Sequence, residues 1–509
     1  MKTGTVGYSR KGSVAAIALL GVAMLAAGPA RAEHPLFSLG PVNFSWLANS
    51  GAGGFFVPDA NFGAGSTAPD GSRKVSPAWV EGYIKPELRG TYHSDKFGTI
   101  YGDVSAVAAG TAGTGDAGVA SSTAGNPAQI ALEEAYLGWT NDLPFHDGDS
   151  FSLQLGRQNF VVDDGFLING GTQNIGHRAD YYLYPRTAFD GLGVLKINSN
   201  PIRADFFALR SNYDKHVASG VTDYQKTDFA GFDTQWFEDA PNAGADGSIN
   251  YADRAKYVGF TFFHVYDTSM GGYQPAGTSR QDMNVVALSW GGSMVPKFMG
   301  SNATFYGTYV REFRGSGATA PDGTPLNQVN AEAYFLEPGY TFDKMPLKPK
   351  VYYRYSHFSG QRSTNGGATS AYDPMFYGDS ALRMGFGTYY LGEIVGQYDL
   401  FNTNENVHQI GITLNPSFHV LDKGDSTKFD ILYYHFMLDQ PGAVGATSSN
   451  YADELDLVTE YQYNTPTYIA IAGGVAVPEA AAQQMSANNG TAAGGRVTGL
   501  LEAYVTYAF

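Results

Sequence analysis

The chain ends Glu502-Ala503-Tyr504-Val505-Thr506-Tyr507-Ala508-Phe509, preceded by Leu501. Steps of two back from Phe509 give Tyr507, Val505, Ala503 and Leu501, one apolar face. Ala508, Thr506, Tyr504 and Glu502, smaller or polar, form the other. A last strand that is aromatic on one side and polar on the other suits a closed membrane barrel. It is similar to the C-terminal signal by which barrel-assembly machinery recognises bacterial outer-membrane barrels. The edge strand of a soluble sandwich is the alternative, and the rest of the chain decides between them.

The opposite end reads as an export signal. Lys2, Arg10 and Lys11 precede an apolar stretch from Val14 to Ala27, and Ala30-Arg31-Ala32 follows as an A-x-A cleavage site. Fourteen residues are too few for a spanning helix. The expectation is a signal peptide over 1–32, removed to leave 33–509. The rest carries 28 basic and 48 acidic residues, a net charge of about −20 that argues against nucleic acid. The chain has no cysteine, which excludes disulfides and thiolate metal sites, and it contains 34 Tyr, 32 Phe and 64 Gly. It also lacks any apolar run of 18 residues. That composition favours strands and turns over helices.

Short segments alternate with period two, among them Trp79–Arg89, Phe97–Val107, Phe151–Gln158, Lys350–Phe358 and Glu454–Tyr461. Short connections such as His93–Lys96, Ser199–Asn200, Asp343–Leu347 and Asn464–Thr465 take turns with long polar ones such as 109–129, 161–188, 360–404 and 478–496. Short turns at one end and long loops at the other is the pattern of an up-and-down transmembrane barrel. Counting back from Phe509, placed at the periplasmic end, predicts an all-β antiparallel barrel of 18 strands. The rule turns the strand-like Thr388–Leu400 into part of one long loop. It also demands strands near Leu39–Leu47 and Thr227–Phe237, and since these are weak, 16 strands is the alternative.

Parity along the strands assigns faces. In Glu454–Tyr461, Leu455, Leu457 and Tyr461 oppose Glu454, Asp456 and Glu460. A charge facing lipid at midplane costs roughly 2–4 kcal/mol, so the charged faces must line a lumen. That lumen is expected to hold water, because dry burial of many charges is prohibitive unless they pair. The basic lining candidates are Lys85, Arg89, Lys196, Arg203, Lys350 and Arg354. The acidic ones are Glu81, Glu87, Glu134, Asp205, Asp430, Glu454, Asp456, Glu460 and Glu502. They set ion selectivity or, in the plainer reading, pair across strands and brace the wall.

Glu133-Glu134-Ala135-Tyr136-Leu137, Gly156-Arg157-Gln158, and Arg186 with Phe189-Asp190-Gly191 together resemble the alginate export family. Weaker echoes lie in 430–436 and 453–457. The resemblance implies an 18-stranded outer-membrane barrel for solute passage and, as substrate, the anionic polysaccharide alginate. A polyanion path favours a basic lumen, whereas the census has nine acids against six bases. A porin for small hydrophilic solutes is therefore the expected function, and a polysaccharide exporter the alternative. Parity puts Arg157 outward unless the strand has left the bilayer or a bulge at Gly156 turns it in. Asp163 and Asp164 are expected to clamp Arg157 or Arg186. The loops 161–188, which also holds Arg178, and 360–404 are the candidates to constrict the lumen.

No catalytic motif, metal site or cofactor site stands out. His264, His357 and His435 sit at aromatic strand ends and read as inert interface residues, and the acids Asp142, Asp147 and Asp149 lack the spacing of a calcium loop. The expected surroundings are outer-membrane lipid.

Overall fold

The computed structural model describes residues 34–67, 73–115, 127–145, 148–163, 165–173, 179–180, 182–216, 222–238, 256–269, 279–293, 302–362, 368–376, 391–400, 402–416, 424–463, 467–488 and 494–508. The expected signal peptide, Phe509, Asp164, Arg178 and the Asn464–Thr465 turn lie outside them.

The first nine strands are β1 (Val42–Phe56), β2 (Ala78–Ser94), β3 (Gly98–Gly113), β4 (Ala128–Asp142), β5 (Ser150–Arg157), β6 (Leu192–Ser199), β7 (Ile202–Arg210), β8 (Thr227–Phe237) and β9 (Tyr257–Thr268). The other nine are β10 (Asn284–Gly291), β11 (Ala303–Arg314), β12 (Gln328–Thr341), β13 (Lys350–Phe358), β14 (Glu405–Leu414), β15 (Ser426–Leu438), β16 (Asn450–Tyr463), β17 (Thr467–Pro478) and β18 (Thr498–Ala508). Each pairs antiparallel with the next, and β18 returns to β1 from Asn49↔Ala508 to Phe56↔Leu501. The barrel is closed with 18 strands, so among the described residues its wall has no open edge. A short segment, His34–Leu39, pairs with Val42–Trp46 of β1 and lies end to end with β18.

The first strand spans Val42–Phe56 and so runs well beyond the expected Leu47. The weak stretch Thr227–Phe237 is a full strand. Within 360–404, Gly392–Asp399 is a π-helix, as the counting rule required of a segment outside the wall. One connection, 238–256, is long yet lies at the short-turn end, between β8 and β9.

The faces follow the alternation. On β16 Leu457 is 55% exposed and Asp456 0%. Exposed Leu88, Ile100, Val104, Leu155, Phe206, Leu288, Ile410, Ile471 and Leu501 spread an apolar surface around the outside. Buried Glu81, Asp103, Gln154, Asp205, Asp233, Glu337, Gln409, Asp430 and Glu502 point inward. This is a transmembrane barrel, apolar toward lipid and polar within.

Candidate functional site

The inner wall does not stand open to water along its whole length. The described parts of the connection 158–191 between β5 and β6, and of the connection 359–404 between β13 and β14, fold against inward side chains from many strands. Phe166 packs on Phe335 and Phe358, with ring centroids 5.2 and 5.8 Å apart, and Phe376 stacks on Phe229 at 4.6 Å. Ile168 and Phe376 form a bridge between the two connections, and the Asn169 amide donates to the Phe376 carbonyl at 2.8 Å. Leu391, Ile394, Val395 and Leu400 join the same buried cluster. The expectation of a water-filled lumen is corrected for this region. Many of its charges are paired or hydrogen-bonded, which is the condition under which they can be buried dry.

Most anchors share one chemistry, a wall carboxylate accepting from loop backbone amides. Glu81 on β2 accepts from the amides of Tyr182 (2.9 Å) and Leu183 (3.2 Å), and from the Trp79 indole at 3.1 Å. Glu133 on β4 accepts from Thr187 and Ala188 at 2.7 and 2.8 Å. Glu312 on β11 accepts from the Asp373 amide at 3.0 Å. On β16 Glu454 accepts from Ile394 and Val395 at 2.8 and 2.7 Å, and Asp456 from Glu393 at 3.1 Å. The last three amides belong to the first turn of the π-helix, where helical N–H groups have no partner of their own and favour an anion. Gly392 opens that turn at φ +87°, and a Cβ there would lie 2.6 Å from the Glu454 carboxylate.

The two loops meet at Tyr182, whose hydroxyl faces Glu502 on β18 at 2.7 Å and Glu393 of the π-helix at 3.2 Å. Neighbouring Asp180 is in the left-handed region (φ 56°), and its amide donates to Thr111 at 2.8 Å. Burial, and then the charge of Glu81, push its carboxyl well above the usual carboxylate range. Burial and the charges of Glu502 and Asp456 do the same to Glu393. Burial alone pushes Asp399 up to about 7. Burial thus favours the neutral form of these three acids.

The residues that carried the family resemblance come together in one clamp at the base of the 158–191 loop. Opposite Ser105 the β3–β4 register slips between Val104↔Ala135 and Ala106↔Leu132. This bulge turns both Glu133 and Glu134 inward, where strict parity allowed only Glu134. Gly156 has φ +127°, and Arg157 turns inward beside it. Arg157 donates to the Glu133 carbonyl at 2.5 Å and to Asp190 at 2.7 Å, and Arg186 lies 3.7 Å from the Glu133 carboxylate. Gln158 and Phe189 bridge the two chains. The carboxylates holding Arg157 are therefore Glu133 and Asp190, not the expected Asp163. Asp163 accepts from the Tyr257 hydroxyl at 3.1 Å.

The remaining lining candidates sit mostly in pairs within the wall. Lys85 meets Glu134 at 2.5 Å, and Arg89 meets Asp103 and Glu87 at 2.9 and 3.0 Å. Arg203 and Asp205 are joined twice, at 2.9 and 2.6 Å. Arg354 forks onto Glu337 at 3.0 and 2.9 Å, with Lys350 3.9 Å from the same acid. Asp430 and Glu460 share Lys428, and Lys196 is half-buried on β6. Lys428 and Glu337 escaped the census although parity marks them, Lys428 through Asp430 and Glu337 through buried Ala333 and Phe335. Asp180, Tyr182, Arg280, Asp373 and Glu393 lie in loops, where no periodicity points to them.

No family model matches the chain, and no curated protein matches its sequence. Solved structures similar to it include Pseudomonas aeruginosa OccK7 (OpdD), at 11% identity over 92% of this chain and 99% of that one, TM-score 0.45. Others are Acinetobacter baumannii OccAB4 (10%, 91% and 98%, TM-score 0.47) and the outer membrane protein OprD from Pseudomonas aeruginosa (11%, 91% and 94%, TM-score 0.47). The resemblance to the alginate export family thus stands on the quoted residues alone.

Proposed function

We propose that the chain is an outer-membrane channel through which small hydrophilic solutes diffuse passively, narrowed by the loops 161–188 and 360–404. The observation that carries this reading is the fastening of both connections to inward carboxylates of a closed barrel whose outer face is apolar. A wall built only to be sealed gains from hydrophobic packing, whereas one that keeps a narrow passage needs loops fixed at defined points. The inward charges left beside that passage, chief among them Lys85, Arg89, Arg203 and Lys350 with their acids, then set selectivity. Export through a signal peptide over 1–32, and assembly through the strand ending at Phe509, belong to the same reading. It assigns the barrel no catalysis.

A dedicated exporter of an anionic polysaccharide is the second reading, favoured by the clamp of Glu133, Arg157, Arg186 and Asp190. The lining census of nine acids against six bases counts against it, because a polyanion favours a basic path. Planar-bilayer recording on the purified barrel tests both. The channel reading expects small discrete conductance steps and swelling of liposomes in small sugars or amino acids. Block by uronate polymer with anion selectivity favours the exporter, and the absence of conductance and swelling sinks both.

A further inference from the structure

We propose a divalent-metal site on the outer face of the barrel, near its loop end, formed by His435, Asp453 and Glu479 and suited to a borderline ion such as Zn2+. His435 on β15 and Asp453 on β16 are direct cross-strand partners, and Glu479 follows β17, whose Val477 pairs with Asp453. One donor atom from each lies within 4.8 Å of the other two. His435 Nδ1 is already 2.8 Å from Asp453 Oδ1. An ion about 2.0–2.2 Å from each donor needs donors roughly 3.3–3.6 Å apart, so the His435–Asp453 contact has to open and Glu479 to close in by side-chain rotation. One imidazole and two carboxylates form the mixed nitrogen and oxygen set that borderline ions take, with a fourth position open.

Charge supplies an independent argument. His435 shares its face with exposed Tyr433, opposite buried Leu432, and so points away from the lumen. Two carboxylates this close repel one another unless a proton or a cation neutralises them. Among the described residues, Asp453's one ion-pair partner is His435, and Glu479 has none. A dication offsets both. The support around the triad suits the same purpose. The Tyr433 hydroxyl donates to Asp453 at 2.7 Å, which orients the carboxylate as outer-shell partners of metal ligands do. The side chains of His435 and Asp453 are 27% and 35% exposed, so an ion has a way in.

The test uses the full barrel, folded in detergent, stripped with a chelator and dialysed. Calorimetric titration with Zn2+ is expected to show one saturable site per chain, weakened at least ten-fold in His435→Ala and in Glu479→Gln. Both variants should keep the gel mobility of the folded barrel. A readout that needs no variant is protection of His435 from diethyl pyrocarbonate by Zn2+, followed by mass spectrometry. Absence of saturable binding, unchanged affinity in both variants, or undiminished modification of His435 at saturating Zn2+ overturns the proposal.

Discussion

Glu133 stands at a position that strict alternation gives to lipid, yet it is fully buried and receives two loop amides. A single-residue bulge reverses its face, and that reversal fastens the base of the 158–191 loop. Glu133→Ala leaves two loop N–H groups without their acceptor and removes the carboxylate that faces Arg157 and Arg186. The expected loss is about 1–3 kcal/mol for the unmade bonds, read as earlier proteolytic cutting of the loop in the folded barrel. Protonation works at the same scale. Asp399 holds its proton up to about 7, while in a released loop it gives the proton up in the ordinary carboxylate range. Below about pH 4 both states are protonated and titration favours neither. Between about 4 and 7 the released state loses the proton first, so docking weakens as pH rises, then levels off. Glu393 and Asp180 act in the same direction. The protection of the 391–400 amides, relative to intrinsic exchange at each pH, is expected to be greatest in acid and to fall toward neutral pH. The opposite trend contradicts the assignment.

At the scale of the element, a strand of this barrel is defined by two faces that tolerate opposite chemistry. Leu457 on β16 faces outward between inward Asp456 and Val458, and Leu457→Arg is expected to destabilise the barrel by about 2–4 kcal/mol in denaturant-driven unfolding from vesicles. The π-helix Gly392–Asp399 obeys a different rule, since Glu454 and Asp456 stabilise it where its amides lack partners. Glu454→Ala removes two of those bonds without touching the outer face. It should raise single-channel conductance while the barrel keeps its folded gel mobility. Unchanged conductance means that this helix does not narrow the passage.

For the whole molecule, deletion of 391–400 carries the same argument further, with a larger conductance step expected from an otherwise intact barrel. A lost barrel instead would make the helix a structural brace. The closed wall is legible in the sequence, because lipid outside and polar groups inside impose a period of two on every strand. That period fixed parity, direction and the count of eighteen, even through the weak stretch Thr227–Phe237. Parity also found Glu81, Arg203, Arg354, Glu454 and Glu502 as inward residues. It failed at Glu133 and Arg157, where a bulge and a glycine at φ +127° break the register. It had no purchase on Asp180, Tyr182 or Glu393, which lie in connections without a repeat. Local alternation determined the wall of this protein from its sequence. What fills the wall depends on contacts between residues hundreds of positions apart, such as Tyr182 with Glu502, and only the tertiary structure brings those together.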